Sequence, residues 1–157
     1  MTPQFLALDP ARFAPLQALD EAALRQHGAR RLTCETAPGM PCRVSLEDAR
    51  PGERVLLLTH RHLDVDTPYR ADGPIYVREG AVQARPAPGE VPALLRLRLL
   101  SLRVYDANGY LRDADVVEGR DLEPVLARLL AGSKAARVQV HYAKTGCYAC
   151  EVVPAAA

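Results

Sequence analysis

Tryptophan is absent from this sequence, phenylalanine occurs only twice, and two lysines stand beside a large excess of arginine. Long apolar runs are also missing. The densest stretch, Leu94 to Val104, is broken by Arg96, Arg98 and Arg103, well short of the roughly 20 apolar residues that span a bilayer. No membrane partner is expected. The opening Met1-Thr2-Pro3-Gln4 has neither a basic n-region nor an apolar h-region, so a signal peptide is not expected and the cytoplasm is the expected location. Concentrated positive charge is lacking too: 20 basic and 19 acidic residues leave a net charge of +1, and Arg30-Arg31 is the only adjacent basic pair. A nucleic-acid binder gathers basic side chains to displace counterions from phosphates, so no nucleic-acid partner is expected. Cys34, Cys42, Cys147 and Cys150 are then expected to be free thiols in a reducing compartment.

What is present describes one globular domain. The chain has 157 residues, 48% of them hydrophobic and 25% charged, a balance that supports a packed core without staples. The expected domain covers 1–153, with 154–157 as a disordered tail. Phe5 to Leu8 reads as a strand. Asp9-Pro10 and Asp20 read as helix starts, because aspartate caps free amides and proline at the first helical position loses no bond. Gly28 closes the helix that Asp20 opens. Strands are expected over Arg30–Glu35, Cys42–Ser45, Arg54–Thr59, Ile75–Glu79, Leu100–Tyr105, Tyr110–Val117, Val138–Tyr142 and Tyr148–Val153. Arg54–Thr59 is apolar on both faces and so is expected to be central. Asn108-Gly109 marks a hairpin, since both residues tolerate positive φ. A short helix is expected through Leu94 and Leu95, and Leu122, Val125, Leu126, Leu129 and Leu130 carry the spacing of an amphipathic one. Strands without regular βαβ alternation give an α+β fold with a mainly antiparallel sheet and about three helices.

Two motifs suggest chemistry and then fall short. Leu56 to Asp64 resembles the zinc loop of the metallo-β-lactamase superfamily, in which an apolar strand delivers His-x-His-x-Asp-His to metal. Val65 replaces the final histidine, the only later histidine is His141, and too little chain follows to complete that fold. The expectation is an exposed polar loop after a buried strand. Cys147-Tyr148-Ala149-Cys150 is a Cys-x-x-Cys, but a redox pair needs its first thiol at a helix N-terminus, and this one precedes a strand that turns its third neighbour to the opposite face. Phosphate loops, nucleophile elbows and dinucleotide fingerprints are missing. No metal and no cofactor is expected.

Several segments in order carry a resemblance. These are Pro41 to Ala49, Thr67-Pro68-Tyr69-Arg70, Gly73 to Glu79, Ser101 to Asp106, Asp113 to Val117, and His141 with Gly146 to Ala149. Together they resemble the bacterial family catalogued as domain of unknown function 1203, from the N-terminal helix to residue 152. The resemblance implies a single domain and names no reaction. Cys150 and His60 fall outside the pattern it implies.

The candidate site follows from period-2 counting. Arg78, Arg103 and His141 lie on the less apolar face of their strands, and Arg43 lies near a loop. Should those strands be neighbours, Arg43, Arg78, Arg103 and His141 would form a site for a small anionic ligand, because guanidinium forks bind carboxylate or phosphate. The competing expectation is that these arginines pair with Glu47, Glu79, Asp113 or Asp115. Tyr69, Tyr76 and Tyr148 are candidate pocket walls. An enzyme reading makes Cys42 or Cys147 the nucleophile and His141 the base. A third reading is an interaction module, and the sequence leaves a homodimer open.

Overall fold

The computed structural model describes residues 1–132 and 134–156. A short strand, β1 (Pro3–Leu6), leads into a 3-10 turn over Pro10–Arg12. Asp9 starts that turn by accepting from Ala11 N at 2.9 Å, with Pro10 where no donor is required. Helices α1 (Ala14–Gln17) and α2 (Glu21–Gln26) follow. Asp20 caps α2 through Ala23 N at 2.8 Å, and Gly28, at φ +68°, turns the chain out of it.

The first sheet is antiparallel, in the order β2 (Arg30–Thr33), β3 (Arg54–Leu63), β4 (Ala71–Arg78). The apolar run of β3 sits at its centre, with Val55, Leu56 and Leu58 buried on both faces. The strand outlasts that run. His60, Arg61 and His62 were expected in an exposed loop, yet His60 and Arg61 continue the ladder against Gly73 and Asp72 of β4, and His62 sits at the irregularity before Leu63 resumes pairing. The Arg61–Asp72 ion pair, at 2.6 and 3.0 Å, ties the two polar ends together across the strands. The strand expected over Cys42–Ser45 is a wound loop. Its only bridges among the described residues are isolated ones, Pro41 with Asp48 inside the loop and Cys42 with Tyr76 of β4. The chain reverses too tightly there for a ladder: Cys42 N donates to Glu47 O and Leu46 N to Cys42 O.

A second sheet takes in β5 (Leu99–Tyr105), β6 (Leu111–Glu118), β7 (Arg137–Tyr142) and β8 (Tyr148–Pro154), in the order β1-β8-β7-β5-β6, every pair antiparallel. The β5–β6 hairpin turns at Asn108-Gly109 as expected. Gly109 takes φ +83°, and the Asp106 carboxylate accepts from Asn108 N and Tyr110 N. Helix α3 (Ala93–Arg96) precedes β5 and α4 (Leu122–Leu130) lies between β6 and β7; α1 and α3 are each only one turn long. Leu122, Leu126, Leu129 and Leu130 bury one face of α4 on Leu100, Leu102, Val138 and Val140. Each such leucine contributes about 1.5–3 kcal/mol.

The opposite face of this sheet packs on the first one, where Tyr148 joins a cluster with Leu56, Leu58, Ile75 and Val77. The result is a single α+β domain layered helix, sheet, sheet. β7 is the middle of that stack and is covered on both sides. β8 reaches Pro154, and Ala155 N donates to Thr2 O at 2.8 Å, so pairing passes the expected boundary at 153. Ala157, the last residue of the expected tail, lies outside the described residues. No described helix is long and apolar enough to cross a membrane.

Candidate functional site

Where the two sheets part at one end, they leave a cavity of about 700 Å³. The first sheet contributes Leu57, Pro74, Ile75 and Tyr76 to its wall, and the second contributes Leu99, Glu118 and Tyr142. The wound loop supplies Pro41 and Arg43, and the turn joining β7 to β8 supplies Lys144, Thr145 and Cys147. A volume of this size matches that of ordinary small-molecule sites, which run to about 300–1,000 Å³.

Arg43 is the chemical centre of that cavity. Only 2% of it is exposed. Its backbone N donates to Tyr76 O of β4, and its Nε donates to Tyr148 O of β8 at 2.7 Å. Nη1 donates to Pro41 O, which leaves Nη2 with no hydrogen bond among the described residues. The guanidinium lies 5.1 Å from the centroid of the Tyr142 ring and 6.0 Å from that of Tyr76. No Asp or Glu is among the groups acting on it, and burial lowers its pKa. A buried arginine without a carboxylate is costly, because a charge in an apolar setting normally finds a counter-charge. The loop holding it is itself unusual: Leu46 is non-glycine at φ +50°, a conformation kept where the surroundings fix it. Its buried side chain supplies that fixing, through the main core.

Two more cations face the cavity. Arg98 forks onto Asp48 at 3.0 and 2.5 Å and stacks on Tyr142 at 5.2 Å, so its charge is already matched. Lys144 is exposed at the mouth and makes no ion pair among the described residues. Glu118 supplies one negative charge on the opposite wall.

The sequence-derived site residues divide among three places. Arg43 lines the cavity. Arg78 points elsewhere, held by Glu53 at 3.0 Å and Glu47 at 3.8 Å. Arg103 and His141 belong to a cluster between the sheets in which Gln139 and His141 are buried and Arg103, His60 and His62 are half-buried. There β5 sets Arg103 against Gln139 of β7, and β3 brings in His60 and His62. The four residues therefore do not converge on one surface. Of the tyrosines expected as walls, Tyr76 lines the cavity and Tyr148 lies behind Arg43, while Tyr69 packs edge-on against Tyr105 and Tyr110.

In this cluster, Gln139 Nε2 donates to His62 O at 2.7 Å, which orients the amide so that Oε1 accepts from His62 Nδ1 at 2.9 Å. His62 stacks on Tyr148 with centroids 5.4 Å apart and meets His141 edge-on at 5.0 Å. His141 is fully buried and donates from Nδ1 to Gly146 O at 3.0 Å. Burial depresses all three imidazoles, His60 and His141 to about 4, and nearby guanidinium groups add to the effect. At about 4, His60 and His141 are neutral at neutral pH. Among the described residues, no group of three His, Cys, Asp or Glu side chains is arranged to hold a metal ion.

The thiols differ sharply in access. Cys34, Cys42 and Cys150 are buried, and the Cys150 thiol is pushed up to about 12 by that burial. Cys42 Sγ accepts from Ser45 N and Arg78 N, so it pins the wound loop to β4. Cys147 alone is partly exposed, and it lines the cavity. Its Cys-x-x-Cys partner, Cys150, is fully buried in the main core. Arg98, Tyr142 and Lys144 were not singled out from the sequence. Tyr142 counts onto the apolar face of its strand, and nothing local ties Arg98 to a residue 44 positions later.

Residues 39–153 match the family model described as "Protein of unknown function (DUF1203)". No curated protein and no solved structure matches the chain. The family match begins at Gly39, after the N-terminal helices, and contains every residue named above as lining the cavity. The match extends over most of the chain and runs through β3 to β8, so the chain belongs to the family of domain of unknown function 1203.

Proposed function

We propose that this domain binds a small anionic molecule in the cavity between its sheets, with Arg43 as the fixed positive charge. The observation that carries the reading is Arg43 itself: it lines the cavity, is buried, makes no ion pair with a carboxylate, and has Nη2 without a hydrogen bond among the described residues. An anion there completes the hydrogen bonding of the guanidinium and supplies the counter-charge that the protein withholds. Tyr76, Tyr142 and Lys144 complete a site with an aromatic wall and a charged mouth.

The reading differs from a four-residue Arg/His cluster, because Arg78 is engaged by carboxylates and His141 by Gly146 O. A cysteine-dependent enzyme is less well supported. Cys42 has no access to solvent, and His141 Nδ1 is engaged by Gly146 O, with no hydrogen bond from His141 to either thiol among the described residues.

The test is thermal melting with a panel of carboxylates, inorganic phosphate and nucleotides. A ligand at 100 times its Kd adds about 2.7 kcal/mol, or roughly 5–10 °C for a chain of this size. Arg43→Gln should abolish the shift and Arg78→Ala should leave it. Should no anion raise the melting temperature, or Arg78→Ala abolish the effect instead, the reading is wrong.

A further inference from the structure

Charge and lining together restrict which anions suit this cavity. Arg43, Arg98 and Lys144 face Glu118 and the Asp48 that already binds Arg98, so the site holds one positive charge in excess. A single negative charge balances it. A phosphate dianion or a nucleotide polyphosphate would bring surplus charge toward Glu118 in a partly desolvated space. Arg43 also offers little donor capacity: Nε and Nη1 already serve Tyr148 O and Pro41 O, which leaves chiefly Nη2 for a ligand. Phosphate sites usually present several converging amides or cations, and here one buried group carries the contact.

The rest of the cavity is apolar. Leu57, Ile75, Pro74, Leu97 and Leu99 line it beside the two tyrosine rings. Leu97 is 69% exposed at the rim, an apolar side chain that the core leaves uncovered. A bare carboxylate would fill only a small part of about 700 Å³ and leave these surfaces wet.

Resting on the anion-binding reading above, we infer that the ligand is an amphipathic monocarboxylate. Its carboxylate meets Arg43 Nη2, and its hydrocarbon or aryl body lies along Leu57, Ile75, Leu97 and Leu99. Cys147 lines the same space and is the one partly exposed thiol among the described residues, so it reports occupancy directly.

The experiment measures binding of straight-chain carboxylates from acetate to octanoate, with phenylacetate, octanol and inorganic phosphate as controls. Two readouts run in parallel on the full chain: calorimetric Kd, and the rate at which iodoacetamide labels Cys147. Each added methylene should tighten binding up to about fourfold. Octanoate should slow Cys147 labelling at least tenfold, and octanol should bind at least tenfold more weakly than octanoate. Leu97→Ser, a change at an exposed position, should flatten the chain-length series and leave acetate unchanged. Arg43→Gln should abolish the preference for octanoate over octanol. Because that variant loses bonds to Tyr148 O and Pro41 O, the Leu97→Ser series and the labelling of the unaltered protein decide the matter if it fails to fold. Phosphate binding more tightly than every carboxylate, with no chain-length trend, would overturn the inference while leaving the anion site standing. If nothing binds and nothing protects Cys147, both readings fall.

Discussion

Acid should loosen this protein through His141, and the size of the effect can be worked out. The imidazole is fully buried between the sheets, and burial lowers its pKa from 6.5 to about 4, against the opposing pull of the Gly146 O hydrogen bond. Its charged neighbours add to the effect of burial: Arg43, Arg103 and His62 all disfavour a proton there. A group with a depressed folded-state pKa binds protons more readily in the unfolded chain. Its contribution is therefore complete above pH 6.5, declines as pH falls, and is gone below about 4. Linkage puts the loss at about 2 kcal/mol by pH 5 and about 3 kcal/mol in full, equivalent at pH 5 to about 4–8 °C in melting temperature. His60, also lowered to about 4, steepens the same slope.

The assay is urea unfolding at pH 7.5 and pH 5.0 on the native chain and on His141→Gln. Glutamine carries no proton, so the variant should lose about 2 kcal/mol of the difference between the two pH values. Its stability at pH 7.5 will fall as well, because the bond to Gly146 O goes, but only the pH difference bears on the argument. Equal pH dependence in the two proteins would show that His141 titrates normally and that the cluster is wetter than described.

Gly119→Ala should fail to fold or lose several kcal/mol, since a Cβ there would stand 1.9 Å from Leu95 O, and backbone cannot move aside cheaply; a soluble variant melting within 2 °C of the parent would refute the crowding. Asp20→Ala should cost about 1 kcal/mol by urea titration, because the Ala23 amide loses its acceptor at the start of α2. In the native protein without ligand, mass spectrometry after brief iodoacetamide treatment should find Cys147 alkylated and Cys34, Cys42 and Cys150 untouched. Labelling of Cys42 at a comparable rate would mean that the wound loop opens readily.

The sequence carried most of the fold because local chemistry and tertiary structure agree there. Asp9 and Asp20 cap where aspartate should, Asn108-Gly109 turns where it should, and the leucines of α4 all face one core. Errors arose where distant chain decides. His60 to His62 is a polar segment by composition and a strand by pairing, because Gly73 and Asp72 wait opposite. Cys42 to Ser45 reads as extended, but the reversal that places Leu46 in the main core cannot be seen in four residues. The site was half legible. Arg43, Tyr76 and Cys147 were in view as residue types near loops. What the sequence could not convey was that Arg78 meets Glu53, that Arg103 turns toward the histidines, or that Arg98 and Lys144 come to the same cavity. Period-2 counting gives the side of a strand and is silent about which sheet that side faces.

Arg43 has a mechanical consequence as well. Its amide is bonded to β4 of one sheet and its guanidinium to β8 of the other, so one residue ties the two sheets together, as Gln139 and His62 do deeper in the junction. The cavity opens beside that tie. A ligand drawing on Nη2 pulls on the same group that sets the spacing of the sheets, which makes occupancy and inter-sheet spacing a single variable. Filling the cavity should then be felt as far as Gln139 and His62, deep in the junction, as slower solvent exchange of their backbone amides. On the proposed reading, the residue that holds the anion is also one that joins the two sheets.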